Sequence, residues 1–275
     1  MADRIDFQAL YRAFLQRQAE DLKDKKQEEI DEIATQLYDT WLSSENEALG
    51  GRAPQHYFDA DSDEALIDAL LDYTDARMQL PDPLLDELVR RGEATAPRLC
   101  AMLASPMDEK RTEAVLGLLS EMQYAPMLAP CLKLVLGERE VQAEQAAQAM
   151  MPFGVQAAAM ALRALEMEER PQVCDRLADI VSSCGPVEGA REALAELFET
   201  RPDARAFYAH CLAKLGDPGV VDMLMDAMNA PDLSYYDYLA LRDAVEELGE
   251  VIEVQRAFEA DADYIHMKYE LEDES

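Results

Sequence analysis

The sequence is short of the side chains that most often carry catalysis and metal binding. Its 275 residues include only three histidines, His56, His210 and His266, which lie far apart. No two of the five cysteines have the Cys-x-x-Cys spacing of a zinc site, and the sequence has no phosphate-binding glycine loop or dinucleotide fingerprint. We therefore expect no metal and no cofactor, and an enzyme is the less favoured class of function.

Disulfide spacing and long apolar runs are also missing. The cysteine number is odd, and each cysteine lies in an apolar helical pattern, where it behaves as a small core residue. No apolar stretch approaches the roughly 18 residues that span a bilayer, and the first residues lack the basic start and apolar run of a signal peptide. These features predict a protein of the reducing cytoplasm.

Positive charge is scarce. Lysine and arginine number 25 against 57 aspartates and glutamates, for a formal net charge of −32. So acidic a surface repels nucleic-acid phosphates and anionic membranes, and we expect neither as a partner. A basic protein partner is compatible with this charge; alternatively, the acidity only keeps an extended surface soluble.

The clearest pattern in the chain is a helix, a tight corner and a second helix at 201–230. Gly216, Asp217 and Pro218 suit the corner, because glycine follows helix ends, aspartate caps the next helix and proline fits its first turn. Each helix has an apolar stripe at steps of three and four: Ala204, Phe207, Tyr208, Cys211, Leu212 and Leu215, then Val221, Leu224, Met225 and Met228. One hairpin cannot bury both stripes, so neighbours of the same kind are expected.

Similar helix pairs fill most of the chain. Their starts, near residues 106, 137, 168, 201 and 231, recur every 30 to 33 residues, which is typical of an α-solenoid. The predicted fold is all-α: a solenoid of about six helical hairpins at 62–262, an N-terminal helical extension at 1–61 and an acidic C-terminal tail at 263–275. Further predictions place helix starts at Pro97, Ser105-Pro106, Pro171 and Pro231, and a last helix through Val251, Val254 and Phe258.

The hairpin at 201–230 resembles a HEAT repeat of the short type also found in phycobilin lyases. The matching residues are Asp203, Arg205, Ala209, Leu212, the run Leu215-Gly216-Asp217-Pro218, Val220, Val221 and Leu224. The resemblance implies an α-solenoid and structural roles at the corner for Arg205, Gly216, Asp217 and Pro218. By analogy it also implies an alternative function, as an enzyme or enzyme subunit of the bilin-lyase-like class.

A second local pattern lies in the N-terminal extension, where Trp41 is followed by Leu49-Gly50-Gly51 and Pro54. It resembles the short Trp…Leu-Gly-Gly…Pro signature of the toxin-binding module of some bacterial antitoxins. The resemblance implies that Trp41 contacts a partner and that the 41–58 segment makes the chain an antitoxin-like regulatory binder. Alternatively, Trp41 packs a helix-loop-helix corner in which the glycines supply backbone freedom.

Three tyrosines crowd the start of the last helix pair. Since neighbouring helical positions point about 100° apart, Tyr235, Tyr236 and Tyr238 cannot all face the core, and Tyr236 is predicted to point outward. Tyrosine is frequent at binding hot spots, so Tyr236 and Tyr235 are candidate partner contacts, or else solvent-tolerant residues at a helix start. The favoured function is a non-catalytic protein-binding scaffold or adaptor that uses the concave face of the acidic solenoid.

Overall fold

The computed structural model describes residues 4–22, 27–231, 233–252, 256–258, 261 and 264–266, without the side chains of 19–22 and 27–32. Within these ranges the predicted all-α class is confirmed, since the elements are helices and the one β-type pairing is an isolated bridge between Asn46 and Arg52. No helix in the described part of the chain is long and apolar enough to cross a bilayer. Most of the predicted tail at 263–275 lies outside the described residues.

The α-helices are short and are joined by tight turns. The first seven are α1 (Phe7–Leu22), α2 (Gln27–Ser43), α3 (Asp63–Asp75), α4 (Asp82–Arg90), α5 (Gly92–Met102), α6 (Glu109–Glu121) and α7 (Leu128–Val135). The others are α8 (Glu140–Met150), α9 (Val155–Leu165), α10 (Pro171–Ser183), α11 (Ala190–Thr200), α12 (Arg205–Leu215), α13 (Val221–Met228) and α14 (Tyr235–Glu247).

The chain divides into two compact units, Met1–Pro130 and Cys131–Ser275. In the first unit, the N-terminal extension packs on the helices that follow it. The Tyr73 hydroxyl on α3 donates to the carbonyl oxygen of Ile5 at 2.7 Å, and Arg4 pairs with Asp72 at 3.0 Å. These two contacts join the extension to α3, while the predicted repeat boundaries at 61 and 262 stay a prediction.

A buried carboxylate anchors the loop before α3. Glu87 on α4 accepts hydrogen bonds from Arg90 and Arg91, which hold the pKa of its carboxyl below the usual value. The Arg91 guanidinium also donates to the carbonyl oxygen of Asp61 at 2.6 Å and pairs with Asp63 at 3.1 Å. One arginine thereby joins α4 to the first turn of α3.

In the second unit the helices stack as two rows. Helices α8, α10, α12 and α14 contact one another in that order, and α9 and α11 pack beside them. Stacking of successive hairpins on their neighbours is the packing of an α-solenoid. The starts of α8, α10, α12 and α14 lie 30 to 34 residues apart, in agreement with the period in the sequence, and the number of repeats stays a prediction.

Two predicted helix starts are wrong because aspartate and serine caps lie beyond the prolines. Helix α6 begins after Asp108, whose carboxylate accepts from the amide of Arg111 at 3.0 Å, three residues past Ser105. Helix α14 likewise begins after Ser234 and not at Pro231. A side-chain acceptor for the free amides of the first turn determines where a helix begins more strongly than a nearby proline does.

Pro97 does not start a helix either. It lies inside α5, which begins at Gly92, directly after Arg91 ends α4. The proline lacks one amide donor, and the helix continues through it. The predicted start at Pro171 is confirmed, since this residue is the first of α10.

The corner between α12 and α13 has the local geometry expected of its residues. Gly216 adopts φ +67° after α12, and its amide donates to the carbonyl oxygen of Ala213 at 2.8 Å. The Asp217 carboxylate accepts from the amide of Gly219 at 2.9 Å, and Pro218 opens a 3₁₀ turn that leads into α13. Arg205, at the start of α12, lies over the ring of Phe198 with its guanidinium carbon 5.6 Å from the centroid.

We expect Gly216→Ala to lower the free energy of unfolding by about 1 kcal/mol, because a side chain is strained in the left-handed region. A Cβ atom at this position meets no other atom within 4 Å, so the effect isolates backbone conformation. Urea unfolding measures it.

Gly117→Ala is the matched control, since Gly117 lies exposed within α6 and also has open space around a Cβ atom. It should stabilise the protein by up to about 1 kcal/mol through helix propensity. Equal effects at the two glycines would contradict the backbone argument.

The predicted last helix is absent where the chain is described. Val251, Ile252 and residues 256–258 are not helical, and Val251 is 83% exposed, while Val254 lies outside the described residues. Gly249, at φ +95°, turns the chain after α14, and Arg256 then binds the carbonyl oxygens at the end of α13. Met225, expected in the core, is 43% exposed, whereas Met228 is buried as expected.

Candidate functional site

A groove of about 890 Å³ crosses one face of the second unit. It is lined mainly by α8 and α10, together with Phe207 of α12. Its lining combines carboxylates and apolar side chains with three glutamines, Gln145, Gln148 and Gln172. The carboxylates are Glu140 and Glu144 on α8 and Asp175 and Asp179 on α10; the apolar side chains include Val141, Met151 and Phe207.

Helical spacing produces the two pairs of carboxylates. Glu140 and Glu144 are four residues apart, as are Asp175 and Asp179, so each pair lies on one helix face within a turn. Like charges at this spacing destabilise a helix by about 0.2–0.5 kcal/mol per pair. The groove therefore concentrates negative charge that the helices alone do not favour.

One cation lines the groove, and it is already engaged. The Arg176 guanidinium donates to the carbonyl oxygen of Val135 at 2.6 Å and lies 3.9 Å from the Glu144 carboxylate. No ion pair is described for Glu140 anywhere in the described ranges. The α8 side of the groove thus has the less compensated negative charge.

The α10 carboxylates are held from the neighbouring helix. The buried Tyr208 hydroxyl of α12 donates to Asp175 at 2.5 Å, and Arg201 lies 3.5 Å from the same carboxylate. Burial and this hydrogen bond raise the pKa of Tyr208 above its usual value, so the hydroxyl stays a donor. Lys214 pairs with Asp179 at 3.1 Å. These contacts position the α10 side of the groove.

The start of α10 is fixed by a carboxylate that precedes it. Glu168 accepts from the guanidinium of Arg170 at 2.8 Å and from the amides of Glu169 and Arg170 at 3.1 and 3.0 Å. These hydrogen bonds lower the pKa of Glu168 to about 2. Arg170 also donates to the carbonyl oxygen of Leu136 at 3.0 Å. The groove wall formed by α10 is therefore anchored at its first turn.

Comparison with family models, curated proteins and solved structures returns no match. The HEAT-repeat resemblance accordingly depends on the residues of the 201–230 hairpin, and it stays a proposal. The groove must be interpreted from its own chemistry.

The tyrosines singled out in the sequence lie outside the groove. Tyr236 is 52% exposed, as helical geometry predicts, and its role as a partner contact stays a prediction. Tyr235 is half-buried, with its ring 5.2 Å from Phe258 and 5.0 Å from Tyr264 between centroids. Tyr235 therefore takes part in an aromatic cluster that joins α14 to the residues after it.

Trp41 lies in the core of the first unit and not on its surface. It is 3% exposed, and its ring lies 5.1 Å from Tyr11 and 5.5 Å from Tyr38 between centroids. Gly50 and Gly51 both have positive φ in the loop that follows α2. The helix-loop-helix interpretation agrees with this placement, and the small uncovered part of Trp41 lines a pocket with Phe7, Tyr11 and Tyr38.

The adjacent His210 and Cys211 do not form a catalytic pair. His210 is exposed, whereas Cys211 is fully buried, and burial raises the pKa of its thiol to about 11. Such a thiol stays protonated and unreactive at neutral pH. Among the described residues, no group of three His, Cys, Asp or Glu side chains is placed to hold a metal ion.

The groove residues were not identified from the sequence. Its carboxylates come from two helices about 30 residues apart, in a chain where acidic residues occur throughout. The one usable signal is that Val141 is an apolar residue between two glutamates on a polar face, and it is 49% exposed. Only the packing of α8 against α10 brings these side chains together.

Proposed function

We propose that this chain is a non-catalytic protein-binding scaffold that holds a basic, partly apolar segment of a partner protein in the groove of α8, α10 and α12. The observation that carries the proposal is the combination of paired carboxylates with apolar side chains, of which Val141 is exposed, in one groove of about 890 Å³. A solvated acidic face alone would not need Val141 half exposed between Glu140 and Glu144.

Charge supports a basic partner. Asp175 and Asp179 are paired from α12 and the residues before it, whereas Glu140 has no ion pair among the described residues and Glu144 has only the 3.9 Å contact with Arg176. A lysine or arginine from a partner would relieve the repulsion between Glu140 and Glu144. The chain's net charge of −32 would also speed the approach of such a partner at low salt.

The apolar side chains support a protein segment over a simple cation. Val141 and Phe207 lie at the groove surface, and Met151 is a flexible side chain suited to an adaptable contact. Burying these groups gives affinity, while the carboxylates give orientation and selectivity. A helix or extended strand with basic residues beside apolar ones has the matching chemistry.

The test neutralises the groove without changing its size. The variant Glu140→Gln/Glu144→Gln should weaken partner binding about tenfold at 0.15 M salt, because two rim charges act mainly through steering and pairing. Its matched control is Glu196→Gln/Glu199→Gln, which removes two exposed carboxylates from α11, away from the groove. Both variants should keep the wild-type circular dichroism spectrum.

Binding is measured in two stages. Proteins captured from a cytoplasmic extract by the wild type, the groove variant and the control are quantified by mass spectrometry at 0.15 and 0.5 M salt. A protein lost with the groove variant and at high salt, but retained by the control, is then purified for titration. Equal capture of every protein by the groove variant and the wild type would contradict the proposal. A Tyr236→Ala variant included in the same series tests whether the contact extends to α14.

A further inference from the structure

A small pocket in the first unit has features of a second binding site. Its volume is about 240 Å³, and its walls include the aromatic side chains Phe7, Tyr11, Tyr38 and Trp41. An apolar cavity of about 150 Å³ holds a benzene molecule. The pocket is therefore large enough for one long side chain of a ligand.

Aromatic rings surround one side of this pocket at several angles. The Tyr11 and Tyr38 rings meet edge to face at 5.0 Å between centroids, and the Trp41 ring is inclined by 51° to Tyr11. Their faces carry negative quadrupole charge, which attracts an ammonium or guanidinium group within about 6 Å.

One carboxylate in the pocket wall and a second beside it have the matching charge. Asp82 lines it and accepts a hydrogen bond from the Tyr38 hydroxyl. Asp86, one helical turn further along α4, acts electrostatically on the same tyrosine. Burial and the neighbouring Asp82 raise the pKa of Asp86, as expected where two carboxylates lie together without a cation. No described side chain forms an ion pair with either residue.

Trp41, which lines the pocket, also has an unpaired donor. The indole nitrogen of Trp41 is buried and has no hydrogen-bond partner among the described residues. An unmade hydrogen bond of a buried donor destabilises a protein by about 1–3 kcal/mol. A ligand that carries a carbonyl oxygen beside its cationic group would satisfy both this donor and the carboxylates.

We infer that the pocket binds an arginine side chain on an extended segment of a partner protein. The guanidinium lies over the aromatic rings and pairs with Asp82 and Asp86, while a carbonyl oxygen of the same segment accepts from Trp41. This site is distinct from the groove of the second unit, and it does not depend on the function proposed for that groove.

The chain provides its own reporter, because Trp41 is the only tryptophan in its 275 residues. Titration with the peptide acetyl-Ala-Arg-Ala-amide should change Trp41 fluorescence saturably. The neutral peptide acetyl-Ala-Gln-Ala-amide should bind at least about tenfold more weakly, since it lacks the cation. Guanidinium chloride at the same concentration should also bind more weakly, because it has no carbonyl oxygen.

Three substitutions test the assigned contacts. Asp86→Asn should weaken the arginine peptide about fivefold, and adding Asp82→Asn should weaken it further. Trp41→Phe, followed by calorimetry, keeps an aromatic ring but removes the N–H, and it should weaken the peptide about fivefold. Asp86→Asn carries the test alone if Asp82→Asn disturbs the fold, since Asp86 is exposed.

The matched control is Asp68→Asn, an exposed carboxylate on α3 outside the pocket, which should leave the affinity within twofold of wild type. The groove variant Glu140→Gln/Glu144→Gln should also bind the peptide normally, so failure at one site is distinguishable from failure at the other. Equal binding of the arginine and glutamine peptides, or equal loss with Asp68→Asn and Asp86→Asn, would overturn the inference. Guanidinium binding as tightly as the peptide would overturn the role of Trp41.

Discussion

Replacing Leu177 by alanine should lower the free energy of unfolding by about 3–4 kcal/mol. Leu177 is fully buried on α10, the helix that contacts α8, α9, α11 and α12. The substitution removes apolar contacts and leaves a cavity that four rigid neighbours fill only in part. It is the largest effect that we expect from any single change in the second unit.

Urea unfolding followed by far-ultraviolet circular dichroism measures this loss. The only tryptophan lies in the first unit, so its fluorescence does not report on α10. Leu197→Ala is the control, because Leu197 is half-buried on α11, and about 1 kcal/mol is expected there. A loss at Leu177 no greater than that at Leu197 would show that α10 is not the centre of the unit.

The second large effect on the free energy of unfolding is expected at Arg256, which binds the chain at the C-terminal end of α13. Its guanidinium donates to the carbonyl oxygens of Met228 at 3.3 Å, Ala230 at 2.5 Å and Pro231 at 2.8 Å. These carbonyls follow or end α13, where the helix dipole favours a cation. We expect Arg256→Ala to lower the free energy of unfolding by about 2–3 kcal/mol, since hydrogen bonds to charged groups are the strong ones.

Arg256→Ala should loosen the structure around Arg256 and the end of α13 before the whole second unit unfolds. The guanidinium carbon of Arg256 lies 5.1 Å from the centroid of the Phe258 ring, which is buried against Tyr238. The backbone amide of residue 256 donates to the Tyr238 hydroxyl. In the alanine variant, amide hydrogen exchange should become faster first at this amide and around the end of α13.

Two further variants sharpen this prediction. Arg256→Lys should recover less than half of the loss, because one ammonium cannot match a planar guanidinium that reaches three carbonyl oxygens. Arg163→Ala removes an exposed arginine from α9 and should change stability by less than about 0.5 kcal/mol. If Arg256→Lys had the same free energy of unfolding as the wild type, positive charge alone, and not the several N–H donors of the guanidinium, would account for the stabilisation.

The corner at Gly216 shows what local sequence predicts well. Glycine after the helix, aspartate as a cap and proline at the next turn each act through their own backbone neighbours. The same reasoning failed at Ser105-Pro106, because Asp108 is a competing cap three residues on. Local signals therefore predict that a turn exists more reliably than they predict its boundary.

Met225 and Trp41 show why burial was harder to predict. Both were interpreted from helical spacing or a short motif, which states which face of a helix a residue lies on. Whether that face is covered depends on a second element. Met225 is 43% exposed, whereas α1 covers Trp41 through Phe7 and Tyr11.

The sequence by itself determined the helical class, the period near 31 residues and the acidic surface, because these follow from spacing and composition along the chain. Only the tertiary structure decided which carboxylates meet. The packing of α8 on α10 places Glu140 and Glu144 opposite Asp175 and Asp179, and the packing of α1 and α2 with α4 places Trp41 near Asp82. The physical reason is that attraction between a site and its ligand depends on distances across helices, which no repeat pattern within one helix specifies.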